Sequence, residues 1–407
     1  MRTRYLLRRG LIALGVIALV AAVAVGGYFG GKALFGTSGG EAPPAPAPRI
    51  VLHKAKGQSA SDLGFPAFAT RNTTRVGGVD PIDDAAGAAL AAYPSSGSVP
   101  GPAAVSMVSA DSWQVGIAAA SLTAPPIGAP VLLGGSDSVP TVTTEALDQL
   151  APRGTKASGG AQLFAIGPVL PPKGLKTTAL KGSDPAKLAA AIASLRTRLV
   201  GAKPQHIVVA SSTDPAYAMP AAAWAARSGD PVLFAGAGPP PVATLRAIHR
   251  YAGAPVYVLG PPSAVSDRAF SVIRKVAPNV KRVAGADPVA NSIDFARYVD
   301  GTFGWNINDP GHGLVIASVA RPLDAAAAAA LSATGTWGPM LVTTSSSTLP
   351  PALRSYLQDL KPGYVNDPTR AVYNHVWVIG DSGTISVDLQ AQVDDLAELV
   401  KIGSGSG

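Results

Sequence analysis

Histidine, cysteine and clustered acids supply most enzyme chemistry, and this sequence of 407 residues holds few of them in any recognisable pattern. It contains no cysteine, which excludes thiolate nucleophiles, zinc–thiolate sites, disulfides and a lipidated N-terminal cysteine. None of its five histidines forms an H-E-x-x-H or other close metal pair, and no Walker-type phosphate loop occurs. We therefore predict no catalytic residue, no metal site and no cofactor, and a protein that is not an enzyme.

Two acid pairs and one histidine are the nearest approach to a reactive group. Asp83-Asp84 and Asp394-Asp395 fall in helix-forming stretches, and both pairs are expected on exposed helix faces. His206 lies just before an apolar run, where a histidine at a strand edge is the ordinary outcome. An envelope hydrolase is therefore the last of the functional alternatives.

The most regular polar feature is a Gly-x-Asp-Pro tetrad that occurs three times, with its aspartates 104 and then 103 residues apart. The aspartate suits a helix N-cap, the proline suits the first helical position, and the glycine allows a tight turn. Capping alone explains the tetrads. The alternative is that the turn also shapes a ligand site, since helix N-termini attract anions. The residues are Gly78, Asp80, Pro81, Gly182, Asp184, Pro185, Gly285, Asp287 and Pro288.

Basic residues precede the tetrads at corresponding places. Arg75 and Arg282 lie five residues before the aspartate, while the middle unit has Ala179 there and Lys181 nearby. These three cations are the candidate contacts for an anionic polymer. The alternative is that they are ordinary surface charges. Among the tryptophans, only Trp305 and Trp337 lie in loop-like surroundings, where they are candidates for stacking on a sugar.

Short apolar runs and alanine-rich stretches follow each tetrad in the same register. Each unit predicts the order helix–strand–helix–strand–helix–strand. The apolar runs are continuous rather than alternating, so both faces of each strand should be buried. Strands separated by helices imply parallel crossovers, and three small units should pack against one another. The sequence therefore predicts an α/β protein of three tandem repeats.

The chain divides into seven predicted segments. Four arginines precede an apolar run that is long enough to span a bilayer, and basic residues before such a run keep the N-terminus inside. A cleaved signal peptide is the alternative. The segments are a basic cytoplasmic N-terminus (1–10), a transmembrane helix or signal anchor (11–35), a Gly/Pro/Ala-rich linker (36–70), three repeats (71–172, 173–279 and 280–402) and a disordered tail (403–407).

The net charge of +8 belongs largely to the N-terminal segment. Residues 1–40 carry five basic side chains and no acid, which leaves 28 basic and 25 acidic side chains for the rest of the chain. A nucleic-acid-binding domain needs a basic stripe on its folded part. We therefore predict no nucleic-acid partner.

The combination of an R-x-x-G-x-D element, a strand, an alanine-rich helix, Pro-aliphatic-Leu and an aliphatic-Gly strand end resembles the tandem cell-wall-binding repeats, type 2, of bacterial surface-layer and cell-wall proteins. It extends roughly from Arg71 to Val400. The resemblance implies Toprim-like α/β units around a pseudo-threefold axis, with basic grooves between units that bind anionic wall polymers. The family usually has an arginine after the aspartate, where this chain has Pro81, Pro185 and Pro288.

These observations predict a non-catalytic envelope protein. Its three repeats are expected to bind an anionic cell-wall polymer or a peptidoglycan-associated glycan non-covalently. Its N-terminal helix is expected to hold it in the membrane as a single-pass protein, with the repeats facing the wall. The alternatives are secretion to the wall, and an anchored scaffold that binds a soluble ligand or another protein instead of the polymer.

Overall fold

The computed structural model describes residues 68–93, 101–335 and 337–402. The predicted N-terminus, transmembrane helix and tail (1–10, 11–35 and 403–407) lie outside the described residues, as does nearly all of the predicted linker. Within the described ranges, none of the helices has the length and apolar character needed to cross a bilayer.

Three parallel sheets follow one another along the chain. The first has the order β4-β3-β5-β6 and the second, in the same arrangement, β8-β7-β9-β10. The first comprises β3 (Val105–Ser109), β4 (Val131–Gly134), β5 (Leu163–Ile166) and β6 (Thr177–Leu180). The second comprises β7 (Ile207–Ser211), β8 (Val232–Ala235), β9 (Val256–Leu259) and β10 (Val280–Val283). The predicted α/β class with parallel strands and repeated units is confirmed.

The third sheet is completed by the start of the described chain. Its order is β12-β11-β14-β2-β1, in which β2 runs parallel to β14 and β1 antiparallel to β2. The strands are β1 (Phe68–Ala69), β2 (Thr73–Val76), β11 (Gly313–Ser318), β12 (Met340–Thr343) and β14 (His375–Ile379). A separate pair is formed by β13 (Gly363–Tyr364) and β15 (Val400–Lys401). The first and third units are thus joined by backbone pairing.

Each sheet has a fourth strand that the sequence pattern does not predict. These strands are β2, β6 and β10, and each precedes a tetrad. They have the sequences Thr-Thr-Arg-Val, Thr-Thr-Ala-Leu and Val-Lys-Arg-Val. β6 and β10 lie at sheet edges, where one side of the strand needs no strand partner and polar residues are tolerated. They therefore lack the continuous apolar run from which the other strands were predicted.

Aspartates cap the helices that follow the tetrads. Asp80 accepts from two backbone amides of the first turn of α1, Asp184 does the same for α4, and Asp287 accepts from one amide of α9. The helices are α1 (Pro81–Ala92), α2 (Trp113–Ala119), α3 (Thr141–Leu150), α4 (Pro185–Val200), α5 (Pro215–Ala218), α6 (Pro220–Ser228), α7 (Val242–Arg250), α8 (Asp267–Val276), α9 (Pro288–Arg297), α10 (Asp324–Ala333), α11 (Pro351–Asp359) and α12 (Val387–Ala397).

Three helices, one from each unit, pack together at the centre. They are α2, α6 and α10, and each contacts the other two. Every residue of α10, whose sequence is Asp-Ala-Ala-Ala-Ala-Ala-Ala-Leu-Ser-Ala, is buried. Small side chains allow this close approach: a Cβ added at Gly116 of α2 would lie 2.8 Å from the Cβ of Ala326 in α10. The alanine-rich stretches of the sequence therefore form the shared core, while the outer helices face solvent on one side.

Candidate polymer-binding groove

Arg75, a predicted polymer contact, is buried at the seam between the first and third units. Its Nη1 donates to the carbonyls of Gly380 and Asp381, both at 2.8 Å, and its Nη2 donates to that of Ile385 at 2.7 Å. Its Nε donates to Gln390 Oε1 at 3.0 Å. The residue is 6% exposed, and burial lowers the pKa of its guanidinium to about 10. Arg75 thus holds the turn that follows β14.

Arg282 holds the equivalent turn of the second unit. Its Nη1 donates to the carbonyls of Gly260 at 2.8 Å and Val265 at 2.9 Å, just after β9. Its Nη2 lies 3.2 Å from Asp267 Oδ1, and its Cζ lies 4.9 Å from the ring centroid of Phe270. Burial lowers the pKa of Arg282, and the neighbouring Asp267 opposes that shift. Both arginines therefore fasten a turn of their own sheet, and their predicted role as polymer contacts stays a prediction.

Lys181 differs from the two arginines. It follows β6, is exposed, and makes no hydrogen bond or ion pair with the described part of the chain. The residue before it, Leu180, lines a groove between α4 and α7. Of the three predicted cations, Lys181 is the one next in sequence to a residue that lines this groove.

The groove between α4 and α7 is lined by cations on both sides. Lys187 and Arg198 come from α4, Arg246 and Arg250 come from α7, and no acidic residue lines it. The nearest acid in sequence is the capping Asp184, which lies 3.6 Å from the Lys187 amine. The groove has a volume of about 700 Å³. An anionic ligand therefore meets an uninterrupted positive rim.

Helical spacing produces this arrangement. Residues three or four apart lie on one face of a helix, and the groove-lining residues of both helices follow that spacing. Alanines alternate with the cations, so the long basic side chains form the rims while methyl groups form the floor. The groove-lining residues of the two helices are Lys187, Ala190, Ala191, Ser194, Thr197, Arg198, Ala243, Arg246, Ala247 and Arg250.

Hydrogen bonds fix the far end of the groove. Thr197 Oγ1 and the Tyr251 hydroxyl are 3.1 Å apart, and Arg250 donates to Ser194 Oγ. Arg198 and Arg246 make no hydrogen bond or ion pair to the residues that the structure describes. The groove offers positive charge on both sides, an arrangement suited to holding an anion. Sequence reasoning missed it, although helices rich in basic residues and free of acid were a usable signal.

A second charged cluster lies buried in the seam between α1 and α10. Arg321 contacts the carboxylates of Asp84 and Asp324, its Nε being 3.2 Å from Asp324 Oδ2, and Asp381 Oδ1 lies 3.7 Å away. Asp84 Oδ1 also accepts from the Gly78 amide at 2.7 Å. Asp84 and Asp324 are both 0% exposed. The prediction that Asp84 lies on an exposed helix face is therefore wrong, because that face of α1 packs on α10.

Burial raises the pKa of both carboxyls in this cluster. At Asp84 the second cause is the charge of Asp324, and the guanidinium of Arg321 opposes the increase at both residues. Two carboxylates beside one guanidinium in a dry seam favour retention of a proton by the pair. The cluster serves closure of the seam and offers no solvent-facing site.

Comparison with known proteins agrees with this architecture. Residues 179–270 match the family model for cell wall binding domain 2 (CWB2), a segment that includes both helices of the groove. No curated protein matches the chain.

Two solved structures share the fold. Cwp8 from Clostridium difficile is similar with a TM-score of 0.62 and 16% identity, over 81% of this chain and 52% of that one. Cwp6 from Clostridium difficile is similar with a TM-score of 0.61 and 19% identity, over 80% and 48%. This chain therefore spans about half the length of each. The resemblance found in the sequence is confirmed: residues 179–270 match the CWB2 family model, and the two cell-wall proteins share the fold of the chain.

Proposed function

We propose that this protein is non-catalytic and attaches to the cell wall by binding an anionic wall polymer in the groove between α4 and α7. The observation that carries the proposal is the groove itself, with four cations and no acid along its sides. The family match supports a cell-wall-binding surface protein, and it covers the unit that contains the groove.

The geometry suits a chain of repeated negative charges. Lys187 and Arg198 are eleven residues apart on α4, so the rim extends about 16 Å along the helix. Exposed charge pairs are individually weak and are screened by salt, so useful affinity comes from engaging several together. Binding of this kind is expected to be sensitive to ionic strength.

Sedimentation with purified, protein-free cell walls tests the proposal. We expect the purified protein to pellet with walls at low salt and to be released at high salt. The double variant Arg198→Gln/Arg246→Gln removes the two groove cations that have no partner among the described residues, and it should lose about tenfold or more in apparent affinity for walls. The control is Arg370→Gln/Lys401→Gln, which removes the same charge from exposed positions outside the groove.

If Arg198→Gln/Arg246→Gln and its control Arg370→Gln/Lys401→Gln are retained equally by walls, the groove is not the polymer-binding site. Absence of pelleting at either salt would favour the second candidate, a scaffold that binds a soluble ligand or another envelope protein. The observation favouring this candidate is that both family-type arginines, Arg75 and Arg282, are bonded to the protein's own backbone.

Several finer assignments belong to the same proposal. They are the Toprim-like description of each unit, the pseudo-threefold arrangement, and polymer contact by Arg75, Lys181 and Arg282. Membrane attachment through a helix at 11–35, with the repeats facing the wall, is likewise proposed from the apolar run alone. Fractionation of cells tests the anchor, since an integral protein stays with membranes under alkaline carbonate extraction while a secreted one leaves with the medium or the wall.

A further inference from the structure

A second cleft in the second unit, whose lining shares only Thr197 with that of the groove, has a different chemical character. It lies where β7 and β8 begin, between the ends of α4 and α6 and a loop that precedes β11. Its volume is about 520 Å³, within the range of roughly 300–1,000 Å³ that ligand sites occupy. We name it the tryptophan cleft, after Trp224, Trp305 and Trp337, which line it.

The tryptophans form one wall of this cleft. The rings of Trp305 and Trp337 are nearly parallel, with centroids 6.3 Å apart and planes 24° apart. Trp224 stands edge-on to Trp305 at 5.5 Å. Arg227 covers Trp337, with its Cζ 4.1 Å from the ring centroid. Trp337 is half-buried and thus keeps an accessible part, as a surface that stacks on a ligand ring requires.

One indole in the wall has a donor without an acceptor. Trp305 is only 5% exposed, yet its Nε1 has no hydrogen-bond partner among the described residues. By contrast, Nε1 of the neighbouring Trp224 donates to Asp230 Oδ2 at 2.9 Å. Buried N–H groups normally have a partner, so the indole of Trp305 leaves an unusual unpaired donor in the wall of the cleft.

A polar row beside the tryptophans presents a hydroxyl. Asp230 Oδ2 is 3.0 Å from Nδ1 of His206, whose Nε2 is 3.1 Å from Thr302 Oγ1. The buried carboxylate favours the tautomer with a proton on Nδ1, so that Nε2 accepts from the Thr302 hydroxyl. The Thr302 oxygen is then left as an acceptor for a ligand hydroxyl.

Positive charge dominates the cleft. Arg196, Lys203 and Arg227 line it against one acid, Asp230, which is buried and already bonded to His206 and Trp224. Arg196 is engaged by backbone carbonyls of the first unit, including those of Ser121 and Pro125. Arg227 and Lys203 are exposed and thus available to an incoming anion.

We propose that the tryptophan cleft binds a single sugar ring that carries a carboxylate or a phosphate. The sugar's apolar face packs on the exposed part of Trp337, its anionic group meets Arg227 and Lys203, and a ring hydroxyl donates to Thr302 Oγ1. This site shares only Thr197 with the lining of the groove between α4 and α7, and it goes beyond attachment to a polymer, since it selects an individual anionic sugar.

Tryptophan fluorescence and calorimetry of the purified protein test the assignment, with glucuronate, glucose 1-phosphate and uncharged glucose as probes. We expect saturable binding of at least one charged sugar, and binding of glucose weaker by about tenfold or more. The preference between the carboxylate and the phosphate then identifies the anion. Arg227→Gln should weaken binding of the charged sugar by about tenfold or more, because it removes an exposed cation and no core contact.

Two controls keep the test decisive. Arg246→Gln, in the separate groove, should bind the sugar like the unaltered protein, and Trp337→Leu should bind it more weakly while unfolding at a similar denaturant concentration. Absence of saturable binding by both charged sugars overturns the proposal, as does equal binding of glucose or unchanged binding by Arg227→Gln. Arg227→Gln should still pellet with cell walls, since the groove is intact in that variant. Wall sedimentation of this variant therefore distinguishes a loss of sugar binding in the cleft from a loss of polymer binding in the groove.

Discussion

The outer helices of the second unit and the seam between the first and third units use charge in opposite ways. In the second unit, α4 and α7 contain five arginines and lysines and no acid. The equivalent pair in the first unit, α1 and α3, contains four acids and no base, and α9 and α11 in the third unit contain two of each. One unit out of three therefore carries a solvent-facing cationic surface on a shared backbone plan.

The seam holds its charges in the interior instead. Four residues after the tetrad aspartate stand Asp84 in the first unit, Leu188 in the second and Asn291 in the third, and all three are buried. Asn291 Oδ1 accepts from the Gly285 amide as Asp84 Oδ1 accepts from that of Gly78. Of these three equivalent positions, only the one in the first unit has an ionisable side chain, that of Asp84.

The difference follows from chain connectivity. Consecutive units are joined by the backbone, while the first and third meet through residues about 300 positions apart, such as Arg75 and Gly380. Closing so long a loop costs conformational entropy, which side-chain bonds at the seam must offset. The charges of Arg75, Arg321, Asp84 and Asp324 serve that closure, whereas Arg198 of α4 and Arg246 of α7 have no partner among the described residues.

Replacement of Arg75 is expected to have the largest effect. Arg75→Ala removes hydrogen bonds to four backbone carbonyls and Gln390 in a buried seam, and should lower the free energy of unfolding by about 3–5 kcal/mol. Arg282→Ala should cost about 1 kcal/mol, because Arg282 is more exposed and makes fewer bonds. Denaturant unfolding measures both.

Equal destabilisation by Arg75→Ala and Arg282→Ala would contradict the special role of the seam. Wall retention of the folded fraction separates closure from binding at these arginines. If Arg75→Ala pellets with walls like the unaltered protein at a temperature where it is folded, its role is closure. If the Arg75→Ala protein is fully folded but is no longer retained by walls, the result would support the prediction that Arg75 contacts the polymer.

Much of the fold could be predicted from local sequence, because its signals are local. Continuous apolar runs predict the inner strands, and the Asp-Pro pairs predict where α1, α4 and α9 begin. The strands β2, β6 and β10 could not be predicted, since they are half polar and are defined by their partners. Asp84 was wrongly placed in solvent for a similar reason: the partner that allows its burial, Arg321, is far away in the chain.

The sites depend still more on distant contacts. The groove requires α4 to lie beside α7, and the tryptophan cleft brings His206 to Thr302 and Arg227 to Trp337. The composition of each helix was visible in the sequence, and so were Trp305 and Trp337 as candidates for sugar stacking. What the sequence lacks is the pairing of these elements, which tertiary packing decides.

Charge reversal in the groove is the next largest expected effect. Arg198→Glu/Arg246→Glu should lower the apparent affinity for walls by about tenfold or more relative to the unaltered protein. The loss should exceed that of Arg198→Gln/Arg246→Gln, since repulsion replaces attraction. The free energy of unfolding should change by less than about 0.5 kcal/mol, because both side chains are surface residues without a protein partner. Sedimentation at several salt concentrations and denaturant unfolding measure the two quantities.

The first unit supplies the matched control for this reversal. Glu145→Lys/Asp148→Lys inverts the charge of α3, the counterpart of α7, and should leave the α4–α7 groove unaffected. The control adds as much positive charge as the reversal removes, so a net-charge effect would raise its wall retention, and unchanged retention would support the groove as the site.

The smallest effect, at Asp84, tests the nature of the seam. Burial raises the pKa of Asp84 above its ordinary value, so the folded protein retains a proton that the unfolded chain releases. The contribution of Asp84 to the free energy of unfolding is fully present at pH values below the pKa of an aspartate in the unfolded chain, near 4. It decreases as the pH rises toward the higher pKa of Asp84 in the folded protein. Asp84→Asn needs no proton and reproduces the neutral side chain that Asn291 provides in the third unit.

We therefore expect Asp84→Asn to raise the free energy of unfolding at pH 8 by about 1 kcal/mol and to flatten its decline between pH 5 and 8. Asp84→Leu, which copies Leu188 of the second unit, is the contrasting variant, because it leaves the Gly78 amide without its acceptor and removes one of the carboxylates that Arg321 contacts, so it should destabilise at every pH. Denaturant unfolding at a series of pH values measures all three proteins. If Asp84→Asn is destabilised at pH 8, the carboxylate is charged in the folded seam, and closure depends on the ion pair with Arg321 rather than on a neutral hydrogen bond.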